Sequence, residues 1–307
     1  MKTSFAPTFG KNTVYILDID NTTVQTCHNA QVKKDAKKEK ILLGLMDESD
    51  VLVFNTGRPK SDIDTILSPC LQERASHLVT RLGSAIWEKT PDQKWTPCQE
   101  WNKRLMESGF DSQKIKDTFH SLAEANKNSK TSLYEYHEPF SSCIVIGSDS
   151  PDVYLPLKNQ LEETLKKSGQ KGVNLGSMAE KNLSVVMATP QGATKGTASD
   201  FVIDGILKKH PQIDKVLVAG DSTGDLANFL INTPQKIKNT LFAFVNPEAK
   251  KFFEAVYSSR KTALPLGIEK AKIIPHGYYA STKIFVPKDA LPAPKGLIES
   301  IRYFKNK

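Results

Sequence analysis

A chain of 307 residues exceeds the usual size of one compact domain, so two lobes, or one large domain carrying an insertion, are expected. Hydrophobic residues make up 39% of it, and no run approaches the ~20 apolar residues of a membrane span, so composition points to a soluble globular protein with no membrane span. The formal net charge of +8 comes from short lysine clusters such as "KKDAKKEK" (33–40), mixed with acids and lacking interleaved aromatics, so a nucleic-acid partner is not expected.

The opening "MKTSFAPTFGKNT" has Lys2 but no apolar stretch behind it, unlike a secretory signal. "TVYILDI" (13–19) reads as a strand buried on both faces, and Lys33 to Met46 as a helix with Ile41, Leu42 and Leu45 on one side. "DVLVFNT" (50–56) is a second buried strand, ended by "GRP". A helix starts at Asp62 and stops near Pro69, and "HLVTRLGSAIWE" (77–88) reads as a strand, a glycine turn and a short strand. Residues 91–128 are polar and helical in character. Strands "SLYEYHE" and "SSCIVIGS", the helix "DVYLPLKNQLEETLKKSG" and strands "VNLGS" and "NLSVVMA" follow. The chain then resumes with a helix over 195–209, strand "KVLVAG" (215–220), loop "DSTGD", a helix over 225–231, strand "LFAFV" (241–245) and a last helix from about Pro294 to Tyr303. Alternating strands and helices predict an α/β fold, a doubly wound parallel sheet built from residues 1–87 and 191–307. The paired strands between them predict a small α+β unit inserted at 88–190. Cys27, Cys70, Cys98 and Cys143 form no CxxC pair, which argues against a zinc site or a disulfide framework and for a reducing, cytoplasmic setting. A monomer is the expected state.

Four short runs fall at the ends of predicted core strands or at a helix start: "DIDNT" (18–22), "NTGR" (55–58), "TKG" (194–196) and "GDSTGD" (220–225). In an open parallel sheet, the loops at the carboxyl ends of the strands share one crevice. Asp18, Thr56, Lys195, Asp221 and Asp225 can therefore converge although they are far apart in sequence. Taken singly, each run is an acidic turn, a Gly–Pro turn, a helix start or a loop; taken together and in order, they are a site.

This order resembles the haloacid dehalogenase-like (HAD) phosphohydrolases, whose motifs are DxDx[TV], a strand ending in Ser/Thr, a lysine and an acidic pair such as GDxxxD. The resemblance implies Asp18 as nucleophile, ionised at neutral pH and able to attack phosphorus. Asp20, on the same side, would protonate the departing alcohol and then take a proton from the hydrolytic water. For the first of these steps its pKa must be raised, and a neighbouring carboxylate and the phosphate charge would raise it. Mg²⁺, a hard cation that prefers oxygen ligands, would be held by Asp18, the carbonyl of Asp20, Asp221 and Asp225. Thr56 and Lys195 would hold the phosphoryl oxygens. Asn21, Thr22, Gly57, Arg58 and Ser222 are the candidates for contact with phosphate or substrate. For Arg58 a second reading stands equal, a structural arginine pairing an acid of the core.

The stretch between "DIDNT" and "NTGR" is too short for a domain, whereas that between "NTGR" and "TKG" holds one. The inserted lobe therefore resembles the cap of the Cof-like and sucrose-phosphatase-like branch, which would exclude water and select the leaving group. Within that branch "LVFNTGRP", "PQGATKGTA" and "AGDSTGDLANF" are similar to the sucrose-phosphate phosphatase runs STGRS, PQGAGKGQA and CGDSGNDAELF. Three features depart from it. Gly224 stands where the family has Asn, "RLGSAIW" replaces a VGTEI-like run, and "GSMAEKNLSV" lacks the acids of GGMDLDI. The expectation is a Mg²⁺-dependent phosphatase of a small phosphomonoester, most plausibly a sugar phosphate. The alternatives are a phosphatase of a phosphoprotein or phosphoinositide, and a catalytically weak binding protein on the same scaffold.

Overall fold

The computed structural model describes residues 13–26, 32–126, 133–180, 182–222, 225, 237, 239–246, 248, 277–279 and 284–306. The expected helix over 225–231, Cys27 and Gly224 lie outside these residues, apart from Asp225. The α/β expectation is met. A nine-stranded sheet is built from β1 (Thr13–Leu17), β4 (Val51–Asn55), β5 (Ala75–Thr80), β6 (Ala85–Lys89), β7 (Trp95–Pro97), β12 (Lys215–Gly220), β13 (Asn239–Phe244), β14 (Gly277–Tyr279) and β15 (Ile284–Val286). Their spatial order is β14-β15-β13-β12-β1-β4-β5-β6-β7.

β1 is buried along its whole length. It pairs in parallel with β12 on one side, Leu17 opposite Ala219, and with β4 on the other, Leu17 opposite Phe54. A parallel strand covered on both faces needs an unbroken apolar run, which "TVYIL" supplies. The chain leaves β1 towards β4 and β5 and returns on the opposite side as β12 and β13, so the direction of winding reverses beside β1. That reversal places the carboxyl ends of β1, β4 and β12 around one crevice. At the other end of β1, Thr13 N–H donates to Asp50 Oδ1 at 2.8 Å, and Arg74 Nη2 donates to the carbonyls of Asp47 and Asp50 at 2.7 and 2.8 Å.

The chain divides into two compact units, one of Met1–Gly83, Trp87–Thr96 and Lys195–Lys307, the other of Ser84–Ile86 and Pro97–Thr194. In the second, β8 (Leu133–Glu138), β9 (Ser141–Ile146), β10 (Val173–Glu180) and β11 (Leu183–Pro190) form an antiparallel sheet in the order β10-β11-β9-β8. Helix α5 (Ser112–Ala125) buries Ile115, Phe119 and Leu122, and α6 (Pro151–Lys167) buries Leu157, Leu161 and Leu165. Both are stripes at helical spacing.

Several boundaries differ from expectation for local reasons. Helix α1 is Ala36–Gly44 rather than starting at Lys33, because Asp35 caps it through Lys38 N–H at 3.1 Å. After α2 (Lys60–Ile66), Pro69 begins a new helix, α3 (Pro69–Arg74), instead of ending one, since a first-turn proline gives up no helical hydrogen bond. The stretch read as helical from 91 opens with β7 before α4 (Gln99–Met106). Helix α7 (Lys195–Lys209) and β12 fall where the sequence places them, and the last helix, α8, is Lys295–Lys305. Among the described residues Cys70, Cys98 and Cys143 take part in no disulfide. Among the described residues no helix is long and apolar enough to cross a membrane.

Candidate active site

Asp18 is the first residue past β1, and its N–H donates to Ala219 O at 2.9 Å, extending the ladder to β12 by one rung. Asp221 follows β12 directly, and Asn246 Nδ2 donates to its carbonyl at 2.6 Å. Thr56 follows β4 and is tied by its N–H to Val79 O at 2.9 Å. Lys195 opens α7. Its carbonyl accepts from Asn55 Nδ2 at 2.9 Å, and the same amide donates to Ser199 Oγ, four residues further along the helix, at 2.7 Å. A buried Asn at the end of β4 thus pins the helix start that carries the lysine.

The ammonium of Lys195 donates to Asp18 Oδ1 and Asp225 Oδ1, both at 2.7 Å, with all three side chains buried. Burial opposes the charge on Lys195, but the two carboxylates and their hydrogen bonds outweigh it and hold the ammonium above its ordinary range. One cation cannot balance three acids. Asp18, Asp221 and Asp225 offer oxygens within 4.8 Å of one another. Burial pushes Asp18 well up, Lys195 pulls it back, and Asp225 and Asp221 add to the rise. Burial and Asp225 push Asp221 up to about 6, against Lys195 and a hydrogen bond from Asn21. Three hard oxygen donors with an uncompensated negative charge fit a divalent cation of the Mg²⁺ type.

Asp20 is arranged differently. Arg58 donates through Nε to Oδ1 and Oδ2 at 3.0 and 2.8 Å and through Nη2 to Oδ1 at 2.7 Å. Thr26 Oγ1 adds a bond to Oδ1 at 2.5 Å. Burial alone would raise Asp20, but Arg58 outweighs it and the carboxyl is held below its usual range. The rise expected of Asp20 for its acid step rests on the phosphate charge; without phosphate the nearest strong charge is a guanidinium, not a carboxylate.

The remaining candidates are engaged within the site. Asn21 has φ 53°, a left-handed turn that Asn tolerates, and its Oδ1 accepts from Gln25 Nε2 at 3.0 Å. The chain thereby doubles back, with Thr23 and Val24 N–H donating to Ile19 O. Thr22 is fully buried and its hydroxyl reaches Asp18 Oδ2 at 3.5 Å. Thr56 Oγ1 accepts from Arg58 N–H at 3.1 Å. Gly57 packs against Leu82, whose Cδ2 would lie 3.2 Å from an added Cβ. Ser222 Oγ donates to Asp225 Oδ2 at 2.6 Å.

The family model described as sucrose-6F-phosphate phosphohydrolase matches residues 11–237, from β1 to beyond Asp225. The chain belongs to this family. Membership makes it a HAD-type phosphatase, a phosphoric monoester hydrolase. Among solved structures, the sucrose-phosphatase of Synechocystis sp. PCC6803 in complex with sucrose and phosphate is similar at TM-score 0.55 and 18% identity, covering 95% of this chain and 97% of that one. The C-terminal domain of Candida albicans trehalose-6-phosphate phosphatase is similar at TM-score 0.51 and 13% identity, covering 96% and 92%. A HAD subclass IIB sugar phosphatase is similar at TM-score 0.53 and 11% identity, covering 95% and 98%. At such identities these likenesses bear on the fold. No curated protein sequence matches the chain.

For this sucrose-phosphohydrolase-family site the sequence reading missed Thr26, Asn246 and the pinning role of Asn55. Asn55 and Asn246 both sit at or just past a strand end, and that position was their only signal. Gly220, read only as part of a loop motif, proves sterically required. A Cβ there would lie 2.2 Å from Asp225 Cβ and 2.5 Å from its Oδ2. Gly220→Ala is therefore expected to displace the Asp225 carboxylate from Lys195 and Ser222. An ångström-scale shift of such a group costs about 100-fold in kcat. The measurement is steady-state hydrolysis of p-nitrophenyl phosphate beside circular dichroism; unchanged kcat would mean that Asp225 need not stay where it is.

Proposed function

We propose that the chain is a Mg²⁺-dependent phosphatase that hydrolyses a small sugar phosphate through a phosphorylated Asp18. The observation that carries this reading is the convergence of Asp18, Asp221 and Asp225 around the buried Lys195 at the carboxyl edge of the parallel sheet. The family's description, and the sucrose and trehalose 6-phosphate phosphatases among its structural neighbours, support a sugar phosphate as substrate.

In this mechanism an Asp18 carboxylate oxygen bonds to phosphorus as the bond from phosphorus to the sugar oxygen breaks, and Asp20, ionised against Arg58 until the phosphate anion beside it raises its proton affinity and it takes up a proton, gives that proton to the sugar oxygen. A water oxygen then bonds to phosphorus, Asp20 takes the water's proton, and the Asp18–phosphorus bond breaks to return the carboxylate and release inorganic phosphate. Lys195 and the Thr56 hydroxyl hold phosphoryl oxygens as charge moves between them. Asp18, the carbonyl of Asp20, Asp221 and Asp225 would hold Mg²⁺, which supplies charge neutralisation for the phosphoryl group. Ser222 and Asn21 keep Asp225 and Asp221 in place. The insert over 88–190 serves as the cap that selects the leaving group, and the setting is cytoplasmic.

The test is a screen of sucrose 6F-phosphate, trehalose 6-phosphate, hexose phosphates, inositol phosphates and a phosphopeptide, each with Mg²⁺ or with EDTA. A sugar phosphate is expected to give the highest kcat/KM, with activity lost in EDTA and restored by Mg²⁺. Full activity in chelator would remove the metal. A phosphopeptide or inositol phosphate preferred by about tenfold or more, a margin that ordinary pocket contacts can supply, would remove the sugar.

A further inference from the structure

Sequence reading left Arg58 equally a substrate ligand or the partner of an acid. In the structure its Nε–Nη2 edge is fully committed to Asp20. Its Nη1 lies 3.5 Å from Asp62 Oδ2, in the first turn of α2, and the side chain is 16% exposed. Carboxylates thus occupy the fork a phosphate would need. The backbone of Arg58 is anchored as well, its N–H on Thr56 Oγ1 at 3.1 Å and its carbonyl accepting from Arg81 N–H at 3.1 Å. From a second segment, Thr26 of β2 (Gln25–Thr26) reaches Asp20 Oδ1, while its own N–H is fixed on Asn21 Oδ1 at 3.3 Å. A bidentate fork fixes the plane of a carboxyl group in a way that a single ammonium cannot.

We propose that Arg58 is a positioning residue which, with Thr26, sets the Asp20 carboxyl in the orientation from which it exchanges protons with the leaving oxygen and the attacking water, and that it is not a ligand of the substrate. This rests on the phosphatase reading above. It separates the two half-reactions in a measurable way. The nitrophenolate leaving group needs no proton, so with p-nitrophenyl phosphate only the second half-reaction depends on Asp20. An alkyl phosphate such as glucose 6-phosphate depends on it in both.

The experiment compares the full-length parent with Arg58→Ala, Arg58→Lys and Thr26→Val on those two substrates, with Asp18→Asn alongside. Arg58→Ala is expected to lower kcat for p-nitrophenyl phosphate by about 10- to 100-fold, within the range of a general base. KM should fall with it, kcat/KM should be nearly kept, and rapid mixing should show a burst of nitrophenolate equal to the enzyme. Glucose 6-phosphate should lose kcat/KM as well. Thr26→Val should move every quantity the same way by less, Arg58→Lys should fall between, and added guanidinium ion should partly restore Arg58→Ala. A raised KM on both substrates with no burst, or a silent Thr26→Val, overturns the proposal. If Arg58→Ala does not fold, Thr26→Val and Arg58→Lys decide by the same burst. Turnover surviving in Asp18→Asn would instead overturn the covalent reading itself, a distinct outcome.

Discussion

Asp18→Asn is expected to abolish turnover while leaving the fold intact. The amide matches the carboxylate in size, so the buried position past β1 and the rung from Asp18 N–H to Ala219 O survive. It is a poor nucleophile, and it removes one of the two anions that Lys195 holds at 2.7 Å. Loss of a nucleophile elsewhere costs about 10⁶-fold in kcat, so a fall on the order of 10⁴-fold or more is expected here. Removing one of three crowded carboxylates relieves repulsion, and the melting temperature without metal should not drop. Steady-state kinetics and a thermal melt on the same preparation check both halves. Turnover within about tenfold of the parent, a change of roughly 1.4 kcal/mol in the barrier, would end the covalent mechanism.

Lys195→Met is expected to damage both activity and stability. Methionine keeps most of the volume and none of the charge. The phosphoryl group loses an ammonium, and positioned cations of that kind are worth about 10³-fold or more in kcat. Asp18 and Asp225 are left buried without their counter-ion, and breaking a buried pair on one side costs about 3–5 kcal/mol. The sign of the pH dependence follows. Burial first, and the neighbouring acids next, raise Asp18, and Asp221 is pushed up to about 6. A carboxyl whose pKa is higher folded than unfolded keeps its proton longer when folded, so its penalty is complete above the folded pKa. The penalty is relieved as pH falls towards the unfolded value near about 4. Urea unfolding of the metal-free variant should therefore show stability recovering from pH 7 to pH 5, and Mg²⁺ should restore part of it at pH 7. A variant as stable as the parent at pH 7 would mean that the carboxylates were never held by this lysine.

The parts legible in the sequence were those that local chemistry decides. β12 and α7 fall where the pattern puts them because an unbroken apolar run and a long helix each carry their own signal. The acids of "DIDNT" and "GDSTGD" could be placed at strand ends for the same reason. β2, β7 and β14 could not be read, since strands of two or three residues have too few positions to show a period. Nor could the partner of Asp20. Residue types give a carboxyl beside another carboxyl, but the geometry gives it a guanidinium from 38 residues away. Rotamers and long-range partners, not composition, set that pairing, and the same holds for Asn55 on Lys195.

The winding of the sheet also governs when the site comes into existence. Asp20 and its guanidinium are 38 residues apart, whereas Asp18 and its ammonium are separated by 177 and Asn55 and Ser199 by 144. Loop closure grows only slowly with length, about 0.6 kcal/mol per doubling, so the longer search is affordable at equilibrium. In time it is not equivalent, because contacts distant in sequence form late. A nascent chain emerging from its N-terminus can pair Asp20 with Arg58 long before Lys195 has been synthesised, and must reach Asp225 before the last carboxylate exists. On the proposed mechanism the half-made protein would hold the proton-transfer group without the charge that steadies a phosphoryl group, and reactivity would arrive only with the closing of β12 onto β1.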